Sequence, residues 1–365
     1  MKHQSSDILI IGCGIIGMMT AKLLAEAGCK VTLTDRHQPG QESSWAGGGI
    51  LSPLYPWRYP DSINRLSRWG HQHYPQLVNN LRDSTGIDPE LYTTGLLIPE
   101  IQEINTATQW AQRFQYTLTH LTGHEIAHCE PLLQTTQSQA IWLPNIAHVR
   151  NPRLLKALLK YLNKLGVLLR PQTEVTEFII ENNRVTGVKT RQNSLYADEF
   201  IVTAGAWSAK LLKPILPSLP VFPMKGQMIL FKTPPGKIKR MILNRGRYII
   251  PRKDGHTLFG STVERVGFNK TPTQTAMTEL KQSAYSLIPA LKSAPIIKHW
   301  AGLRPASPDG IPIIGRHPAL KNLSLNTGHF RNGVILGAAS AQLMANLLLQ
   351  QLPIVDPHPY ALPSS

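Results

Sequence analysis

Cysteine is scarce in this 365-residue chain: Cys13, Cys29 and Cys129 are the whole complement, and none forms a C-x-x-C pair. Three thiols are too few for a disulfide framework, so a reducing, cytoplasmic setting is expected. Long apolar runs are also lacking. The nearest to one, residues 334–349, is interrupted by Ser340, Gln342 and Asn346, and no membrane span is expected. The first residues carry one lysine and then Asp7 before an apolar run that breaks at glycines, a pattern unlike a signal peptide. No His, Cys, Asp or Glu cluster has ligand spacing, so no metal is expected. Internal repeats and low-complexity tracts are absent. Acidic residues are outnumbered, 22 to 38, giving a net charge of +16. The basic residues are scattered without a stripe of interleaved aromatics, which argues against a nucleic-acid partner and leaves attraction to a membrane surface open. What is present, 42% hydrophobic and 16% charged residues, suits a globular protein. The length allows two domains, or one nucleotide domain with a large insertion.

The most informative stretch is the first 35 residues. Gly12, Gly14 and Gly17 lie between an apolar strand (Ile8 to Ile11) and an apolar helix (Ile15 to Ala27) that Gly28 stops, and Val31, Leu33 and Asp35 follow as a second strand. This is the G-x-G-x-x-G fingerprint in a strand–helix–strand setting. The glycines let the backbone turn tightly and approach a pyrophosphate, and the helix N-terminus offers unpaired N–H groups to it. Asp35 stands 18 residues beyond Gly17, where a carboxylate accepts hydrogen bonds from an adenosine ribose. The motif predicts a dinucleotide and leaves its identity open.

Further along, residues 41–60 are rich in Gly, Pro, Ser and aromatics and predict a loop around a short helical start. A helix is expected over 62–84, kinked or divided at Pro75, and another near 100–115. Asn151-Pro152 predicts a helix capped by the Asn and stopped by Gly166. Strands are expected at 167–169, 173–181, 184–191 and 200–204, with Asn182-Asn183 as a hairpin turn. Pro-rich residues 214–223 and 233–236 flank a β-rich portion ending near Trp300. A strand, a turn over 328–333 and a long apolar helix close the chain. The nucleotide domain is therefore read as discontinuous, interrupted twice by a substrate domain.

Four segments carry a resemblance: Ser43-Ser44-Trp45-Ala46-Gly47-Gly48-Gly49-Ile50, Tyr248-Ile249-Ile250-Pro251-Arg252-Lys253, Trp300-Ala301-Gly302-Leu303-Arg304-Pro305 and Gly328-His329-Phe330-Arg331-Asn332-Gly333. Together with Asp309-Gly310 and the run from Pro312 to Pro318, they resemble the FAD-dependent glycine oxidases of thiamine biosynthesis, within the wider D-amino-acid oxidase group. The resemblance spans essentially the whole chain. It implies an α/β fold with a discontinuous Rossmann-like FAD-binding domain of the glutathione-reductase type (1–85, 148–213 and 301–365). A substrate domain of α+β type with a large, mostly antiparallel sheet would comprise 86–147 and 214–300.

The resemblance implies non-covalent FAD and oxidation of glycine, sarcosine and small D-amino acids. Hydride passes from substrate Cα to flavin N5, giving an imine used for thiazole assembly and, with oxygen, hydrogen peroxide. It also implies a cytoplasmic homotetramer. Arg304 matches the clamp for the substrate carboxylate, where a guanidinium gives two parallel charge-assisted bonds. Tyr248 matches the active-site tyrosine and Arg331 a second guanidinium; these three are the catalytic candidates, joined by Ile50 and Val263 at the substrate. Val263 stands where some relatives carry methionine. The implied cofactor contacts are Gly12, Gly14, Ile15, Ile16, Gly17, Asp35 and Arg36; then Ser43, Ser44, Ala46, Gly47, Gly48 and Gly49; then Val175, Ala204, Gly205 and Trp207. Arg304, Arg331, Asn332, Gly333, Val334 and Ile335 complete the set, the last few presenting a helix N-terminus to negative charge. No histidine is needed as a base. Residues 51–60, bulkier and more aromatic than in other members, are read either as an active-site lid or as an ordered surface loop. Two other readings are a D-amino-acid dehydrogenase passing electrons to a quinone and, less in keeping with the scattered charge, an RNA-modifying flavoenzyme.

Overall fold

The computed structural model describes residues 6–99 and 102–362; the parts of the expected domain ranges and of the 100–115 helix at 1–5, 100–101 and 363–365 lie outside them. Two large sheets organise the chain. The first has six strands, in the order Ile313–Arg316, Leu323–Thr327, Ala197–Val202, Ser6–Ile11, Val31–Thr34 and Leu168–Arg170. All neighbours run parallel except the Ile313–Arg316 and Leu323–Thr327 pair. Ile8 to Ile11 can be uninterruptedly apolar because this strand is paired on both edges and covered on both faces. From the opening strand the chain steps one way to Val31–Thr34 and later the other way to Ala197–Val202. The order therefore reverses beside Ser6–Ile11, and the carboxyl ends of two central strands open a crevice there.

The opening helix, Ile15–Glu26, packs against the closing helix, Gly333–Leu348, which is buried around most of its circumference. The Asp61–Thr85 helix continues past Pro75, so of the expected kink or division the division does not occur. At Gly70 it comes so close to the closing helix that a Cβ would lie 2.3 Å from the Ile335 carbonyl oxygen. Asn182 and Asn183 both take positive φ, 50° and 59°, and form the anticipated turn between Val175–Glu181 and Arg184–Thr190.

The second sheet has eight strands, in the order Ile296–Ala306, Phe222–Lys232, His256–Gly260, Arg247–Pro251, Met241–Asn244, Leu96–Ile98, Gln139–Leu143 and Thr119–Thr122. Every pairing is antiparallel except Met241–Asn244 with Leu96–Ile98. The expected α/β chain with a large, mostly antiparallel second sheet is thus observed. Alternation sorts its residues. Ile229, Ile249 and Phe259 pack under the Gln274–Leu287 helix, while Met228, Tyr248, Ile250 and Leu258 point to the other face and cluster with Leu54, Tyr55 and Trp110. Among the described residues, no helix is long and apolar enough to cross a membrane.

Candidate active site

A cleft runs from Asp35 and the glycine turn, across residues 43–50, to the large sheet and the start of the closing helix. At its first end, Gly12 has φ +116°, and a Cβ there would sit 2.5 Å from the Thr203 carbonyl oxygen. A Cβ on Gly17 would lie 2.0 Å from the Gly12 carbonyl oxygen. The turn therefore exists only with hydrogen at both positions, which leaves backbone exposed where a phosphate group can approach it. Asp35 accepts N–H bonds from Cys13 (2.8 Å) and His37 (2.9 Å), and burial raises its carboxyl above the ordinary range despite them. Burial also pushes the Cys13 thiol up, so this cysteine is a packing residue. Arg36 lies over the Trp207 ring at 3.7 Å.

The middle of the cleft is formed by the short Ser43–Ala46 helix and the glycines after it. Ser44 accepts the Ile15 N–H through its hydroxyl (2.9 Å), joining this helix to the start of the opening one. The Asn151 side chain is not the expected cap, because Arg150 precedes the first residue of Asn151–Lys164. Its amide donates instead to the Ser44 carbonyl (2.8 Å), a tertiary tie that outweighs a local one. Buried Arg252 donates to the carbonyls of Gly48 (2.7 Å) and Val149 (2.8 Å) and to His148 Nδ1 (2.6 Å). Trp300 Nε1 donates to the Ala46 carbonyl (3.0 Å).

The far wall is one face of the large sheet. Register pairs Met224 with Arg304, Gly226 with Gly302 and Met228 with Trp300, and sets Gly260 opposite both Met228 and Tyr248. Three glycines empty this face. A Cβ on Gly226 would lie 2.1 Å from Arg304 Nη2, and one on Gly302 would lie 2.5 Å from the Ala46 Cβ. The Arg304 guanidinium fills the space above Gly226, donating to the carbonyls of Lys225 (3.3 Å) and Thr262 (3.2 Å) and to the Ser261 hydroxyl (2.6 Å). Burial lowers its pKa, the Tyr248 hydroxyl opposes that fall and Arg331 adds to it, yet a guanidinium stays charged at any working pH. Among the described residues it forms no ion pair. The Tyr248 hydroxyl donates to Ser261 Oγ at 3.3 Å.

The turn before the closing helix supplies the last part of the wall. Phe330 (φ 45°) donates its N–H to the Pro305 carbonyl (2.8 Å), so the turn is held against the strand that carries Arg304. His329 is buried against Ser340 (Nε2 to Oγ, 3.0 Å), and burial pushes it down to about 3, a neutral ring with a structural role.

Most of the site residues named from the sequence line this one cleft: Gly12, Gly14, Ile15, Ile16, Asp35, Arg36, Ser43, Ser44, Ala46 to Ile50, Val175, Ala204, Gly205, Trp207, Tyr248, Arg304, Arg331, Gly333 and Val334. Gly17, Asn332 and Ile335 lie just behind its wall, and Asn332 Nδ2 is buried without a hydrogen-bond partner. Val263 is 49% exposed and outside the wall. In the 51–60 loop, Ser52 and Leu54 line the cleft, Tyr55 and Pro56 are buried, and Trp57 and Arg58 both donate to Glu103. Sequence reasoning missed Gly226, Ser261, Thr262, Met228 and the carbonyl-holding Arg252. Arg252 was at least signalled, as an arginine inside one of the four quoted segments.

A glycine turn that excludes side chains, a helix N-terminus beside it and a long cleft ending in two guanidinium groups fit an extended dinucleotide carrying a reactive ring. The profile of the FAD dependent oxidoreductase family matches residues 7–347. A glycine oxidase of Pseudomonas aeruginosa is 46% identical over 98% of this chain and 99% of that protein. A bifunctional ThiO/ThiG protein of Trichormus variabilis is 32% identical over 95% of this chain and 53% of its own length. The crystal structure of glycine oxidase from Bacillus cereus superposes with a TM-score of 0.88 at 32% identity, covering 96% of both chains. The chain belongs to the FAD-dependent oxidoreductase family.

Proposed function

We propose that this enzyme oxidises glycine and related small amines, sarcosine and small D-amino acids among them, and that the imine formed from glycine feeds thiamine thiazole synthesis. The observation that carries the reading is Arg304: a half-buried guanidinium aimed into the cleft, held by neutral acceptors and, among the described residues, without a carboxylate of its own. A substrate carboxylate supplies the missing partner, and the planar fork fixes its orientation.

FAD held along the cleft would supply a two-electron acceptor for the substrate's Cα hydride, with oxygen as the final acceptor and hydrogen peroxide as its product. Gly12, Gly14, Ile15, Ile16, Gly17, Asp35 and Arg36 would hold its adenosine and pyrophosphate end, with Val175, Ala204, Gly205 and Trp207. Ser43, Ser44 and residues 46–49 would hold its ring. Arg304 orients the substrate, Tyr248 offers a hydroxyl beside the same carboxylate, and Arg331 adds positive field. The N-terminus of Gly333–Leu348 turns its backbone donors toward the cleft, where they favour negative charge. The amine reacts unprotonated, so no side chain has to take a proton from carbon.

The same reading divides the chain into an FAD-binding part (1–85, 148–213, 301–365) and a substrate part (86–147, 214–300), with strand Ile296–Ala306 carrying Arg304 from one into the other. It also makes the enzyme a cytoplasmic homotetramer, which light scattering on the purified protein would test. Anaerobic titration with glycine, sarcosine and D-alanine, followed by air, tests the chemistry. Flavin bleaching and then stoichiometric peroxide are expected; a bound flavin that none of these amines bleaches overturns the proposal. Bleaching with rapid quinone reduction and negligible peroxide would make the enzyme a dehydrogenase.

A further inference from the structure

We infer that Glu264, whose carboxylate grips Lys225, Gln227 and Thr262, is a positioning residue that fixes the Arg304 guanidinium for the substrate carboxylate; the inference rests on the clamp role proposed above. Lys225 lies on strand Phe222–Lys232, is 2% exposed, and sets its Nζ 2.9 Å from Glu264 Oε2. The other carboxylate oxygen accepts from Gln227 Nε2 (2.8 Å) and from the Thr262 hydroxyl. The two backbones exchange N–H bonds as well, each of 2.9 Å, as an isolated antiparallel bridge. Residues 261–264 are therefore pinned to the strand by main chain and by a carboxylate with three donors.

What this pinned turn carries is the seat of the clamp. The acceptors of Arg304 are the Thr262 carbonyl, the Ser261 hydroxyl and the carbonyl of Lys225 itself. Each belongs to the turn or to the residue that Glu264 grips. The Lys225 carbonyl is shared between the Glu264 N–H and Arg304 Nη1, so the ion pair and the clamp meet at one oxygen. A carboxylate here also offsets the crowding of Lys225, Arg304 and Arg331, and Glu264 is among the charges that act on Arg304. It contacts Arg304 only through these intermediaries.

Field and positioning make opposite demands on a variant. Removing a negative charge beside an anion site, with the geometry intact, would tighten carboxylate binding. Loosening the turn would weaken it, and a displacement of about 1 Å costs on the order of 100-fold. The test uses FAD-loaded enzyme: wild type, E264A, T262V and the double variant K225M/E264Q, which removes both charges and keeps a hydrogen-bonding amide at 264. Glycine KM and kcat are measured, together with the Kd of acetate from its perturbation of the flavin spectrum.

The expected result is a rise of about 10- to 100-fold in both glycine KM and acetate Kd for E264A, with kcat within about 3-fold. The double variant should return both to within about 3-fold of wild type. Unchanged or lowered KM and Kd in E264A overturn the inference. Should E264A fail to accumulate with flavin, T262V decides alone: a rise supports the inference, and values equal to wild type overturn it. A wild-type enzyme that glycine leaves oxidised overturns the glycine reading only, and the acetate Kd then still decides the role of Glu264.

Discussion

Gly226 shows how a residue without a side chain can define a catalytic one. Its Cα lies under the Arg304 guanidinium, and a methyl group there would come within 2.1 to 2.3 Å of three guanidinium atoms. Gly226→Ala must therefore displace the clamp while leaving the cofactor end of the cleft untouched. The expected outcome is a protein with normal flavin content whose kcat/KM for glycine falls about 100-fold, read from initial rates of peroxide release. Arg304→Lys should cost a similar factor for a different reason, since an ammonium cannot form two parallel bonds and loses the seat made by Lys225, Thr262 and Ser261. Arg304 and Tyr248 were legible in the sequence because each sits in a segment with its own resemblance. Gly226, Ser261 and Thr262 were not, because what makes them matter is the register of Phe222–Lys232 against Ile296–Ala306 and His256–Gly260, and register is a property of paired strands. Asn151 was misread for the complementary reason: its local pattern is that of a cap, while its amide serves Ser44, 107 residues away in sequence.

At the scale of the element, the opening strand, turn and helix were readable almost to the residue, since apolar period, glycine spacing and the Gly28 stop all lie within one short stretch. The large sheet was expected as mostly antiparallel only through the resemblance; its own residues showed a β-rich region and no strand order, because that order joins segments more than 100 residues apart. The opening unit permits a sharp comparison of glycines. Gly17→Ala would drive a methyl group to 2.0 Å from the Gly12 carbonyl oxygen in the glycine turn and 2.7 Å from the Thr203 hydroxyl just beyond strand Ala197–Val202. Gly28→Ala meets nothing within 4 Å and strains only its own backbone at φ +92°. Both should lose stability, the second by about 1 kcal/mol. Flavin should separate them: G28A is expected to purify yellow with the wild-type ratio of flavin to protein absorbance, and G17A as largely colourless apoprotein. A G17A enzyme with full flavin would show that the turn tolerates helix displacement and that its glycine is not required by the cradle.

At the scale of the whole molecule, charge and burial combine into a dependence on acid. The chain carries +16 with its histidines neutral, so every further proton adds to self-repulsion. Burial lowers the pKa of five of the described histidines, His71, His148, His299, His317 and His329, and two of them, His329 and His148, resist protonation most strongly. His329 is pushed down to about 3 by burial; His148 is held well below the ordinary range by burial and by the Arg252 guanidinium, whose Nη1–H needs an unprotonated Nδ1 to accept it. Their folded values lie below the unfolded one of about 6.5, so under that pH the unfolded chain binds protons that the native state refuses. The stability they contribute is fully present above about pH 6.5 and is lost as pH falls toward their folded values, at about 1.4 kcal/mol per unit for each ring. Asp35 acts in the opposite sense, because burial raises its carboxyl and its protonation favours the fold. The sharpest check is His329→Gln, which keeps a polar partner for Ser340 and cannot titrate. At pH 7 this variant should be the less stable protein, having lost a packed ring. Between pH 6.5 and 5 wild type should lose about 2 kcal/mol that the variant does not, so urea midpoints measured across that range should converge or cross. Parallel curves would mean that His329 takes up its proton inside the fold, and that the closing helix can open around it without the chain unfolding.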